Sequence, residues 1–223
     1  MKLNILVKSW LQRLTIVFVS FIVGLLVFAL PASAYSQSDL NYLQQTNKCN
    51  YCDLSEADLS NMDLYGSSLI GTNLSKANLS HAILNEAELK TANLSQANLT
   101  DAILMGATLS EAELSNANLS KATLYNVVLS NANLSQANLA QADLTSAIMS
   151  RTNLTNVPAE SVKLTKAILF QANLAGADFT GADIRSANLK GANLEHTNLA
   201  QADLSGTIMP DGTVYREYFA DIK

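Results

Sequence analysis

From Leu54 onward, a leucine returns every fifth residue. Leu59, Leu64, Leu69, Leu74, Leu79, Leu84, Leu89, Leu94, Leu99 and Leu104 follow without a slip, and the series reaches Met209 after 32 positions. The only departures are Met149, Ala159, Phe179, Ile184 and Met209, all apolar. Two residues before each leucine runs a second series of small residues, mostly alanine (Ala57, Ala77, Ala82, Ala87), with Thr72, Val127, Thr152 and one larger Met62. Between the two apolar positions stands Asn or Asp, as at Asn73, Asn78, Asn93 and Asp143, giving Ala-Asn/Asp-Leu-x-x.

Neither regular element accepts this period. A helix turns 100° per residue, so a period of five smears the leucines around its surface. A strand places residues five apart on opposite faces. The pattern works only if the chain turns a corner every five residues. Alanine and leucine then point inward from one short strand and the residue between them points outward. Four sides close a square coil of 20 residues, with leucine at the centre and room only for a small residue beside it. Every glycine within the repeats (Gly66, Gly71, Gly106, Gly176, Gly181, Gly191, Gly206) stands two after the leucine position, and Asn61, Asn116, Asn126, Asn131 and Asn156 share that slot. A turn whose third residue has positive φ is expected to demand Gly or Asn there.

These repeats, Ala-Asn-Leu-Ser-Gln and Ala-Asp-Leu-Thr-Ser among them, resemble the pentapeptide-repeat family over about 160 of the 223 residues. The resemblance implies an all-β fold, a right-handed quadrilateral parallel β-helix. Thirty-two pentads predict about eight coils, a rod of roughly 38 Å at ~4.8 Å per coil. One irregularity is expected at Asn156-Val157-Pro158-Ala159-Glu160. Pro158 removes a ladder donor and Ala159 leaves a hole in the leucine stack, which predicts a bulge.

The remaining segments divide as follows. Residues 1–34 read as an export signal: a basic start (Lys2, Lys8, Arg13), an uncharged run Leu14–Leu30, Pro31, and Ala32-Ser33-Ala34 with cleavage after Ala34. No Arg-Arg pair is present there, which favours the general secretory route. The alternative is an uncleaved anchor. Residues 35–51 form an N-terminal cap in which Ser38-Asp39-Leu40-Asn41-Tyr42-Leu43 supplies a helix N-cap and one or two helical turns. Residues 52–211 are the repeats. Residues 212–223 hold Val214, Tyr215, Tyr218, Phe219 and Ile222 as a C-terminal cap after an exit turn at Pro210-Asp211-Gly212.

Charge excludes one class of function. The chain has 14 Lys+Arg and 19 Asp+Glu, net −5; without the three basic residues of the first 34 it is −8. Binding nucleic acid by neutralising phosphates does not fit. Chemistry-bearing clusters are scarce. Cys49 and Cys52 are the only cysteines, and the register places them as first and fourth residues of a corner, both inward, within reach of a disulfide. The alternative is a redox pair, but neither a βαβ unit nor a nearby His accompanies it. His81 and His196 stand 115 residues apart and cannot share a metal or a triad. Asp53, Asp58 and Asp63 lie on three successive sides, so their carboxylates diverge and make a negative rim rather than a metal site. No cofactor and no catalytic residue is expected.

Residues 20 apart stack along the axis, and the four sides then differ. The first carries Asn73, Asn93, Asn133, Asn153, Asn173 and Asn193, interrupted by Glu113; the second carries Asn78, Asn98, Asn118 and Asn138. Stacked amides hydrogen-bond along such an axis. The third side and its following corner hold Tyr65, Ile83, Ile103, Met105 and Tyr125. The fourth holds Ile70, Val128, Ile148, Ile168, Phe170 and Ile208. Outward apolar residues are thus confined to one half of the rod, which marks a candidate surface for a protein partner or for self-association. The alternative is that β-branched residues merely stabilise one another.

Within the family, the signal and the Cys49-Asn-Tyr-Cys52-Asp-Leu entrance resemble the secreted cyanobacterial members of the thylakoid lumen or periplasm. The resemblance implies a non-enzymatic, exported interaction or scaffold rod, with no membrane contact after signal cleavage. In such a compartment the Cys pair could instead mark a redox-regulated lumenal factor. A third reading is a DNA-mimic topoisomerase binder, as some cytosolic members are; the acidic balance agrees with it and the export signal does not.

Overall fold

The structure, a computed structural model, describes residues 35–216. The segment read as an export signal, and Tyr218, Phe219 and Ile222 of the C-terminal cap, lie outside the described residues. Single-residue parallel bridges join positions twenty apart from Lys48↔Ser68 to Asn188↔Ile208. Twenty residues make one circuit of four sides, the side length that the five-residue period predicts.

Hydrogen bonding explains why the pentad has five residues and why its outward position is Asn or Asp. In the pentad around Leu74, the Leu74 N–H donates to the Asn93 carbonyl of the next coil at 2.7 Å, and the Lys76 N–H donates to Ser95 at 2.8 Å. The Asn73 N–H donates back to Cys52 at 2.9 Å, and the Ala77 N–H closes the corner onto Leu74 at 3.0 Å. The fifth donor, Ser75 N–H, is taken by the Asn73 Oδ1 two residues earlier at 3.2 Å. All five backbone donors are satisfied, three between coils and two within the pentad. Asn and Asp reach the fifth because their oxygen sits one methylene from the backbone.

Every corner, from Tyr51 to Gly206, has positive φ at its third residue. The expectation that Gly or Asn is required there is corrected. Tyr51, Glu56, Lys76, His81, Arg151 and many others hold φ of 55–61°. Each left-handed residue costs roughly 1–2 kcal/mol, and the residue's own N–H bond to the next coil holds it in place at nearly every corner.

The leucine and alanine positions are buried almost without exception through Ala192. Threonines in the alanine position keep their hydroxyls bonded by one rule. Thr152 donates to Leu129 at 2.8 Å and Thr207 to Ile184 at 2.6 Å, each the leucine-position carbonyl 23 residues back.

The predicted bulge at Pro158 is absent. Leu139 N–H donates to the Pro158 carbonyl and Ala159 N–H to Asp178, both at 2.8 Å, and the register continues. What is lost is the Pro158 bond to the coil before, as its missing N–H requires, and the corner bond of Val157. Ala159 stays sealed from solvent. Ala159 is fully buried, and Phe179, the largest of the fully buried side chains, occupies the leucine position one coil further along the same stack.

At the N-terminal end, helix α1 (Gln37–Thr46) lies over the first coil with Leu40 and Leu43 buried. Its N-cap is Ser36, not Ser38; the Ser36 Oγ accepts from Asp39 N–H at 3.3 Å. The helix runs ten residues, longer than one or two turns, until Asn47 in the left-handed region ends it. Asp39 accepts from Asp53 N–H at 2.9 Å, and Asn47 O accepts from Ser68 N–H at 3.1 Å, so the cap also pairs with two sides of the coil. At the other end the chain reverses after Pro210. Val214 bridges Ile208 antiparallel, and Tyr215 N–H donates to Thr207 at 2.8 Å.

Candidate functional site

Side-chain hydrogen bonds run along the polar sides. On the first, Asn73 Nδ2 donates to Asp53 at 3.0 Å, Asn153 to Asn133 at 2.9 Å and Asn193 to Asn173 at 3.1 Å. On the second, Asn78 donates to Asp58 at 3.0 Å and Asn98 to Asn78 at 3.2 Å. Each amide donates toward the N-terminal end, so a carboxylate suits the end of a chain. Asp53 and Asp58 hold those ends, and Glu113 starts a new run by accepting from Asn133 at 2.8 Å. Asp53 and Asp58 titrate below the ordinary carboxylate range because Ser55 and Ser60, side chain and N–H, hydrogen-bond the charged form. These aspartates are structural acceptors. Among the described residues no His, Cys, Asp or Glu group is placed to hold a metal ion.

Cys49 and Cys52 are joined as a disulfide across the first corner, with Cα atoms 5.3 Å apart. Cys49 is fully buried at the α1 end, and Cys52 is half-buried. Between them Tyr51 is exposed, and its ring stands where a side chain on Gly71 would be. His81 and His196 are both exposed corner residues. A cavity of about 370 Å³ opens at the C-terminal end, lined by Ala202, Asp203, Leu204 and Tyr215 among others. The Asp203 carboxylate there is engaged by Ser205 and lies 3.5 Å from Arg185.

The outward apolar residues fall in two groups. Ile83 and Ile103 bridge on the third side, and Met105 and Tyr125 follow on the corner, where Gly106 N–H donates to Tyr125 O at 3.0 Å. Val128, Ile148 and Ile168 bridge in series on the fourth side, with Phe170 on its far corner. The register makes one diagonal band, from the third side over the corner onto the fourth. Met105, Tyr125, Ile148 and Ile168 are exposed, at 38–43% of their full area; Ile83, Ile103, Val128 and Phe170 are half-buried. Two members stand apart. Tyr65 is bonded to Glu86, which raises its phenol pKa. Ile208 is paired with Val214 and belongs to the C-terminal hairpin. The amide capping of the corners escaped the sequence reading. Its signal was the preference for Asn and Asp over the longer Gln at the outward position.

Family models decide the assignment. "Pentapeptide repeat region" matches residues 45–119, and "Pentapeptide repeats (8 copies)" matches 122–157, 160–195 and 187–210. The chain belongs to the pentapeptide-repeat family. Among solved structures, QnrB1, a plasmid-mediated fluoroquinolone resistance protein, matches with TM-score 0.53 at 20% identity over 69% of this chain and 84% of that one. This likeness supports the fold, the family's right-handed quadrilateral β-helix. HetL of the cyanobacterium Nostoc, a pentapeptide repeat protein involved in heterocyst differentiation regulation, is 29% identical over 80% of this chain and 98% of that one, TM-score 0.32. A pentapeptide repeat protein of the Arabidopsis thaliana thylakoid lumen is 32% identical over 50% and 68% of the two chains, TM-score 0.18. No curated protein matches this sequence.

Proposed function

We propose that this pentapeptide-repeat protein is a non-enzymatic interaction rod of an exported compartment, thylakoid lumen or periplasm. The diagonal apolar band is the surface it presents to protein. The observation that carries the reading is the confinement of outward Ile, Val, Met and Tyr to one half of the rod while the other half carries hydrogen-bonded Asn and Asp ladders. Large side chains such as Tyr125 and Phe170 gain more from a partner's cover than a ladder supplies. The basic first 34 residues, with the apolar run and Ala32-Ser33-Ala34, support export. The Cys49–Cys52 disulfide suits an oxidising compartment and staples the first corner beside the cap. Export also separates the chain from topoisomerases, which disfavours DNA mimicry.

The test is a double variant, Ile148→Lys with Phe170→Glu. Both side chains point outward, so the β spectrum should persist. Sedimentation of wild type and variant, alone and mixed with extract from the native compartment, should show a complex that only wild type forms. Identical sedimentation of the two in every condition would reduce the band to structure.

A further inference from the structure

The fourth side carries more than an apolar row. We propose that its occupant is a second copy of this chain, docked face to face and antiparallel, with the two-fold axis passing through Ile148. The proposal rests on the interaction-rod reading and names the partner.

A two-fold interface must be self-complementary, with each patch facing its own rotated image. Along the fourth side the outward residues run Glu88, Thr108, Val128, Ile148, Ile168, Asn188, Ile208. Rotated about Ile148, the row sets Ile148 on itself, Val128 on Ile168 and Thr108 on Asn188. Three apolar positions form the centre, two short polar ones the next layer, and neither layer holds a charge. The axis crosses the rods, so strands of the two copies stay aligned, as face-packed sheets require.

The corner between the fourth and first sides fixes the register. Lys90, Glu111, Arg151, Lys190 and Asp211 stand on it at successive levels. With the axis at Ile148, Glu111 lies two coils below it and Lys190 two coils above, so each meets the other across the interface, twice per dimer. Lys90 and Asp211, three coils from the axis, meet likewise. Within one rod Lys90 Nζ lies 3.5 Å from Glu111, so each end of the interface gathers a mixed cluster. Arg151 faces its own copy, the one like-charge opposition of this register, with its Nε turned along its own rod to Gln171 at 3.0 Å.

The registers half a coil away fail on the same charges. Moving the axis half a coil toward the N-terminal end sets Lys90 against Lys190. Half a coil the other way sets Glu111 against Asp211. A parallel dimer sets Lys190 level with Arg185 on the opposite corner. Like charges in opposition select against wrong registers more strongly than rim pairs strengthen the right one.

The experiment uses cysteines on the face of the purified protein under mild oxidation. Ile148→Cys alone should cross-link. Val128→Cys alone should not, but mixed with Ile168→Cys it should. By sedimentation, wild type should dimerise with concentration, and Ile148→Lys should stay monomeric with an unchanged β spectrum. Lys190→Glu should weaken the dimer tenfold or more, and adding Glu111→Lys should restore it. Val128→Cys linking alone as fast as the mixture would overturn the antiparallel arrangement. A wild type that stays monomeric, with Ile148→Cys unlinked, would overturn the second copy altogether. If wild type alone still formed a complex in the native extract, the band reading would survive that failure.

Discussion

Ala159 and Phe179 form a compensating pair in the axial stack, and a double-mutant cycle measures the compensation. They occupy the leucine position in consecutive coils, both fully buried, with Leu139 below and Leu199 above. Ala159→Leu adds three carbons beside a ring that already fills the space; overpacking of this kind costs about 1–3 kcal/mol. Phe179→Leu removes ring atoms next to an alanine that cannot fill the gap, and a loss of about 1–2 kcal/mol follows from cavity formation. Independent sites would make the double variant worse by the sum, about 2–5 kcal/mol. The double variant instead restores the leucine consensus at both levels and conserves the stack volume. It should lie within about 1 kcal/mol of wild type, a coupling of about 1–5 kcal/mol. Urea unfolding followed by circular dichroism reads this directly, provided all four proteins unfold in one transition, since repeat arrays can lose cooperativity. Additive single effects would show that Phe179 does not fill the space left by Ala159.

Ser67 sits in an alanine position of the first coil with its buried hydroxyl unpartnered. The carbonyl that the threonine rule would supply, 23 residues back, falls within α1, so Ser67→Ala should raise stability by about 1 kcal/mol in the same urea assay. Arg185 binds the Asp183 carboxylate through Nη2 at 2.6 Å and Nε at 2.8 Å, which lowers its pKa to about 2. A depressed folded pKa contributes stability above the unfolded value of about 3.9, lost as pH falls through about 2. Asp183→Asn should therefore flatten the fall in urea midpoint between about pH 4 and about pH 2 and leave its slope at neutral pH unchanged.

The period of five fixes side length, inward and outward faces and the stacking of residues twenty apart, because no other backbone geometry accepts it. The leucine positions read as core are core. What escaped was anything set between coils rather than within a pentad. Ala159 read alone is a hole; only its neighbour twenty residues on, the large Phe179, offers a side chain to fill it. Pro158 read alone predicts a bulge, yet the Leu139 and Asp178 bonds around it hold the coil in register. The corner rule of Gly or Asn failed for a similar reason. Turn statistics describe isolated turns, whereas here each left-handed residue is fixed by coils on either side. Ser38 reads as the N-cap from sequence, but the bond from Asp39 N–H places the cap at Ser36.

The cost of the fourth side is the last argument that it serves a partner. Asn or Asp at the outward position caps the corner N–H two residues on, a bond of about 0.5–1.5 kcal/mol. The first side gives up Asn and Asp only at Glu113, whose longer carboxylate still caps Ser115 N–H at 3.0 Å. The second gives them up only at Pro158. Between Ser68 and Ile208 the fourth side keeps just Asn188. It has forgone the cap in nearly every coil and set apolar side chains in water instead. Stacking among Val128, Ile148 and Ile168 recovers part of that loss. It recovers nothing at Thr108, which neither caps the corner nor stacks as an apolar group. A side shaped only by its own stability would carry the capping Asn and Asp of the first and second sides. Docking against a second rod accounts for the isoleucine and valine where the axis passes and for the short, uncharged Thr108 where the partner's flank approaches.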